Sequence, residues 1–152
     1  MIIKLENEER SRAVAQQLAN VLIPPLVIGF SGSLGAGKTT FVRAMLRSLG
    51  IKGPVKSPTY ALIESYECDQ FTVHHFDLYR IASEDELEFL AFRDCLSSDA
   101  ICCIEWPENT DMSRQLLDIQ CIIHMKGEGR LLEIQALTPN GEQVLNKMVE
   151  AK

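Results

Sequence analysis

Apolar positions along the chain change period several times, and each change marks an element. The opening MIIKL has the length and character of a short strand. Asn7 then offers an N-cap, and Val14, Leu18, Val21 and Leu22 recur at helical spacing until Pro24-Pro25 forbids continuation. The run LVIGF reads as a buried strand. Beyond a glycine-rich stretch, Phe41, Val42, Met45, Leu46 and Leu49 form one helical stripe that Gly50 closes. TYALIESYE and FTVHHFDLYRI read as two strands joined by a turn at Asp69-Gln70. Ser83 and Glu86 make a capping box for a helix spanning SEDELEFLAFRDCL. AICCIEW is a short apolar strand stopped by Pro107. DIQCIIHMKGEGRLLEIQAL divides at Lys126–Gly129 into a hairpin, and a last helix starts near Gly141. Strand and helix alternate for two thirds of the chain before the hairpin, which predicts an α/β fold with a mixed central β-sheet flanked by helices.

Composition narrows the class. A chain of 152 residues with 46% apolar content is expected to form one domain over residues 1–152, with a real core. The net charge of −6, with a pI near 5.1, argues against the broad cationic surface of direct nucleic-acid binders. No basic leader and no membrane-length apolar run is present, so a cytoplasmic protein without membrane contact is expected. Cys68, Cys95, Cys102, Cys103 and Cys121 contain no C-x-x-C pair, and the expectation is five thiols in structural roles.

The candidate chemistry begins at Gly29, in GFSGSLGAGKTTF. Gly32, Gly37, Lys38 and Thr39 fit G-x-x-x-x-G-K-[ST], with a buried strand before and an amphipathic helix after. By average residue usage a chance match in a chain this long has a probability of roughly half a per cent. Glycines let successive backbone N–H groups turn inward around an anion, and the positive end of the next helix favours the same charge. Gly35, Ala36, Gly37, Lys38, Thr39 and Thr40 are therefore the predicted phosphate cradle of a P-loop NTPase domain. Lys38 would neutralise the β and γ phosphates, and Thr39 would enter the shell of Mg2+. That ion also needs an acid. Glu105, emerging at the carboxyl end of the ICCI strand, is the leading candidate for metal and catalysis, against the plainer reading of an acid that happens to end a strand. In HHFDLYR an extended backbone puts His75, Asp77 and Tyr79 on one face; an acid and a histidine there can orient water or metal, but spacing alone favours a solvated strand edge.

The segments GSLGAGKTTFVR, KSPTYALIESY, HFDLYR, ELEFLAFRD and IEWPE occur in that order across most of the middle of the chain. Together they resemble the TsaE (YjeE) family of small bacterial P-loop ATPases that support threonylcarbamoyladenosine modification of transfer RNA. The resemblance implies Mg-dependent ATP binding and hydrolysis, with turnover dependent on TsaD and TsaB, and transfer RNA met only through those partners. It places Lys38 and Thr39 on phosphate and magnesium, with Glu105 completing the metal site. It assigns Asp77 a part in hydrolysis together with Thr59 of the Ser57-Pro58-Thr59 loop, and it puts Glu8 near the nucleotide. Two departures stand out: Ser33 occupies a position where an acid is usual, and Ala91 one where glycine is usual.

Two other readings remain open at the level of sequence. A P-loop small-molecule kinase would also bind ATP, but no arginine-rich lid is visible, Arg114 and Arg130 being isolated. A nucleotide-dependent binding module, whose slow hydrolysis only releases a partner, uses the same residues. A GTPase is disfavoured because no guanine-reading N-K-x-D is present.

Overall fold

A computed structural model of the chain describes residues 1–97 and 99–151. Seven strands form one sheet: β1 (Ile2–Leu5), β2 (Leu26–Ser31), β3 (Ile63–Glu67), β4 (Thr72–Asp77), β5 (Ala100–Glu105), β6 (Ile119–Lys126) and β7 (Gly129–Ala136). The helices are α1 (Glu8–Ala19), α2 (Lys38–Ser48), α3 (Glu84–Phe89), α4 (Asp111–Gln115) and α5 (Pro139–Glu150), with 3-10 turns at Phe92–Cys95 and Pro107–Asn109. The spatial order is β1-β7-β6-β2-β5-β4-β3. β6, β2, β5 and β4 are parallel neighbours, and β1, β7 and β3 extend the sheet antiparallel, so the sheet is mixed as its residue pattern predicts.

The parallel strands are covered on both faces, which is why all six residues of β5 are buried. On one face Ile28, Phe30, Ile101, Cys103 and Cys121 pack with Val14 and Leu18 of α1, Phe41 and Val42 of α2, and Val144 of α5. On the other, Phe76, Cys102 and Ile104 pack with Leu87, Phe92 and Leu117. Burial pushes the thiols of Cys102 and Cys121 up to about 12, in keeping with cysteines that pack.

Local chemistry explains where elements begin and end. Asn7, Ser83, Thr110 and Thr138 each cap a helix by accepting a backbone N–H, and Thr138 starts α5 at Pro139, slightly ahead of the expected Gly141. α1 ends at Ala19, so Val21 and Leu22 lie in a turn beyond it. Residues 58–62 are turns and β3 begins only at Ile63, because Leu62 takes a left-handed conformation (φ +68°) and its N–H bonds Pro58 O at 2.6 Å.

The helix expected over SEDELEFLAFRDCL is broken. α3 stops at Phe89, Ala91 adopts φ +52°, and a 3-10 turn follows. The break lets Phe92 drop onto Phe76, edge to face at 5.1 Å between centroids, which a continuous helix would not allow. The left-handed region costs an L-residue about 1–2 kcal/mol. Glycine relieves that cost while losing roughly 0.5–1 kcal/mol through its freer unfolded chain. Ala91→Gly is thus expected to raise the melting temperature by about 1–4 °C. Calorimetry checks this, and a lowered transition contradicts the strain.

Candidate functional site

β2, β5 and β4 deliver their carboxyl ends side by side. The register pairs Phe30 with Glu105 and Glu105 with Asp77, so the two acids stand on adjacent strands at the edge where α/β sheets place ligands. The chain leaves β2 through Gly32–Gly37 and enters α2 at Lys38. Gly32 admits no side chain: a Cβ there would lie 2.5 Å from Ile123 O, at φ +145°. Gly37, at φ +105°, is the N-cap of α2 and offers no side-chain acceptor. The other four α-helices have one. The first amides of α2 therefore lack the side-chain oxygen that satisfies its counterparts, leaving a positive helix end suited to an anion.

Lys38 is buried and folds back over this loop, Nζ donating to Gly32 O at 2.8 Å and Ser33 O at 3.0 Å, with the Trp106 ring centroid 4.2 Å away. Burial pushes its pKa down, while the carboxylates of Glu105, Glu108 and Asp77 push the other way. Ser33, the departure from the usual acid, thus takes part through its backbone carbonyl.

Thr39 Oγ1 donates to Glu105, 2.8 Å from Oε1 and 2.9 Å from Oε2. Glu105 is 2% exposed, and the buried His75 Nε2 meets its Oε2 at 2.7 Å. Among the described residues His75 Nδ1 is buried with no partner, so a proton on Nε2 serves Glu105 without burying an unpaired N–H. Asp77 accepts from Thr59 Oγ1 at 3.2 Å and from Tyr79 N at 3.0 Å, and Thr59 meets Ser57 Oγ at 2.6 Å. The Ser57–Thr59 loop and the end of β4 are thereby joined.

The solvated edge read for His75 and Asp77 is corrected: they are 1% and 6% exposed. β3 pairs outside β4 and makes it an interior strand, and the polar face of β4 meets Glu105 and the cleft, not bulk water. Tyr79, on that face in an extended reading, lies past the strand end and is exposed.

Two clefts flank the glycine loop. One, of about 330 Å³, holds Lys38, Thr39, Thr59, Asp77 and Glu105. The other, of about 340 Å³, is lined by Glu8, Ala36, Phe41 and Arg130, and both clefts share Gly35, Gly37 and Thr40. Glu8 is exposed and ion-paired to Arg12 at 2.8 Å, one turn along α1. Sequence reasoning did not single out Arg80, which also lines the first cleft. The spacing of two residues between His75 and Asp77 puts both on one strand face, where His75 meets Glu105 rather than water or metal.

A hydroxyl and a buried carboxylate in mutual contact are hard oxygen donors, and they fit magnesium. Among the described residues no three His, Cys, Asp or Glu side chains converge as metal ligands. A cation seated between Thr39 and Glu105 would draw its remaining oxygens from phosphate and water, as magnesium commonly does.

Comparison with known proteins gives a consistent result. The family described as "Threonylcarbamoyl adenosine biosynthesis protein TsaE" matches residues 5–132. The tRNA threonylcarbamoyladenosine biosynthesis protein TsaE of Haemophilus influenzae is 41% identical over 121 residues, 80% of this chain and 77% of that protein. The Aquifex aeolicus protein of the same name is 36% identical over 84% of this chain and 92% of its own length. The crystal structure of Bacillus subtilis YdiB superposes with a TM-score of 0.79 at 25% identity, covering 99% of this chain and 95% of that one.

The His75–Glu105 contact is directly testable. His75→Leu leaves a buried carboxylate short of one donor and should cost about 1.5–3 kcal/mol, whereas His75→Gln, which retains an N–H, should recover much of it. Urea melts distinguish the two; equal stability of the leucine variant and the unmodified chain contradicts the contact's importance.

Proposed function

The chain belongs to the TsaE family, and on that premise we propose that it binds ATP with Mg2+ and hydrolyses it in support of threonylcarbamoyladenosine formation on transfer RNA. The observation that carries the proposal is the meeting of Lys38, Thr39 and Glu105 at the uncapped start of α2. Backbone amides from Gly35 to Thr40 would receive the phosphates. Lys38, already deprived of water, would exchange its two loop carbonyls for β and γ oxygens, a stronger partner for a cation. Magnesium bound at Thr39 and Glu105 would neutralise charge between those phosphates. Asp77, held by Thr59, is proposed to act beside the γ-phosphate. Glu8 and the cleft beyond Gly35 are proposed to take the nucleoside end.

The partners proposed are TsaD and TsaB, with transfer RNA met only through them, as the acidic balance suits. Among the described residues no helix is long and apolar enough to cross a membrane. The small-molecule kinase reading does not hold: the relatives are named for transfer-RNA modification, not for phosphorylation of a metabolite. Slow turnover serving only to release a partner would use the same cleft; comparing hydrolysis with and without TsaB and TsaD discriminates it.

Lys38→Ala removes a charge-assisted contact of about 1.5–3 kcal/mol and should weaken ATP binding roughly 10-fold to 150-fold. Titration calorimetry reads this, and unchanged affinity contradicts the phosphate role. Glu105→Ala should spare binding of metal-free ATP and remove most magnesium-dependent hydrolysis; normal hydrolysis would take Glu105 out of the metal site.

A further inference from the structure

The cleft beside Lys38 contains a second cation that the reading above does not use. Among the described residues Lys38 and Arg80 are the two basic ones lining it, against the acids Asp77 and Glu105. Arg80 is exposed, and among the described residues no carboxylate lies within ion-pair distance of it. Its guanidinium rests instead on the ring of Tyr60, with Cζ 4.7 Å from the centroid.

The backbone that carries Arg80 is held by hydrogen bonds, while its side chain is exposed. Asp77 Oδ1 accepts from Tyr79 N at 3.0 Å, turning the chain sharply at the end of β4. Leu78 N donates to Glu105 O at 3.0 Å, tying this turn to the strand end that holds the proposed metal ligand. Asn109 Nδ2 donates to Leu78 O at 2.7 Å and Tyr79 O at 3.3 Å, and Ile81 N to Leu78 O at 3.0 Å. Five hydrogen bonds thus hold the turn, one of them to β5 and two to Asn109, and leave one long cationic side chain at the cleft mouth. Tyr60 is 84% exposed and belongs to the loop whose Thr59 holds Asp77. An exposed cation–π contact is weak, and a charged phosphoryl oxygen outcompetes it.

From this geometry we propose that Arg80 is a catalytic residue supplied from within the chain, swinging off Tyr60 to neutralise the oxygens of the γ-phosphoryl group as it transfers. The proposal rests on the ATP-hydrolysis reading and deepens it. A water oxygen forms the new bond to the γ phosphorus, the bond to the β–γ bridging oxygen breaks, and ADP leaves with that electron pair. The proton of the water ends on phosphate or solvent. Arg80 makes and breaks no bond in this sequence. It supplies two N–H donors and a permanent charge where the equatorial oxygens gain charge. Lys38 is folded back over the glycine loop, and Arg80 reaches the same cleft from the turn after β4, so the two cations would approach a bound phosphoryl group from different elements.

The test uses the whole chain with mant-ADP, magnesium and aluminium fluoride, a mimic of the phosphoryl group in flight, alongside single-turnover hydrolysis of ATP. Arg80→Ala should slow hydrolysis by about 1000-fold, the lower end of what such an arginine contributes, and abolish fluoride-dependent capture of mant-ADP. ATP affinity and melting temperature should stay at their unmodified values. Tyr60→Ala, which removes only the resting contact, should keep or raise capture.

Equal hydrolysis and equal capture by Arg80→Ala and the unmodified protein would overturn the proposal. So would a loss of ATP affinity as large as the loss of rate, since Arg80 would then hold the ground state. A fall in capture in Tyr60→Ala matching that in Arg80→Ala would assign the effect to the ring. If the unmodified chain bound no ATP at all, the nucleotide reading itself would fall, an outcome separate from the behaviour of Arg80.

Discussion

The bond from the Thr39 hydroxyl to the Glu105 carboxylate is the constraint on which the site depends. It joins the first turn of α2 to the last residue of β5, two pieces of chain separated by 66 positions. A carboxylate 2% exposed carries a desolvation cost that only close partners offset. Thr39 and His75 supply those contacts, and the Lys38 charge adds its field. Because the register sets Glu105 between Phe30 and Asp77, the same contact fixes the acid of β4 relative to the glycine loop. Sliding β4 or β5 by a residue would turn its terminal acid into the opposite core.

Conformational cost collects around this point. Trp106, directly after Glu105, has φ +58°, and Leu62, closing the loop that holds Thr59, has φ +68°. Bulky residues seldom adopt this region, at about 1–3 kcal/mol each. Trp106 N is held by Phe30 O at 3.1 Å, which keeps the reversal in place and sets the indole against Lys38 and, tilted by 50°, against Tyr79. The missing side-chain cap of α2 belongs with these features. Four helices satisfy their first turns internally, and the one at the carboxyl edge of the sheet leaves that place for a ligand. Local stability is given up where an anion can restore it.

What could be read from the sequence was what is local. The loop from Gly32 to Thr39 is one contiguous pattern, and Glu105 follows from the end of an apolar run, so both were legible without any knowledge of strand order. Asp77 and His75 were legible as a shared face but not as buried groups. Their burial depends on β3 folding outside β4, a long-range pairing that no local period encodes. The broken helix at Ala91 hid for a related reason: its periodicity is sound, and only the need to seat Phe92 on Phe76 interrupts it. Arg80 carried no signal of its own, because its position follows from hydrogen bonds between the end of β4, Glu105 and Asn109.

A crystal structure of the chain with magnesium, ADP and beryllium fluoride tests the central claim most directly. The account predicts the ion at roughly 2.0–2.1 Å from Thr39 Oγ1, with Glu105 bound to it directly or through one water, and Lys38 Nζ moved from Gly32 O to the phosphates. A metal coordinated elsewhere, with the Thr39–Glu105 bond and the Lys38 carbonyl contacts all intact, would contradict it.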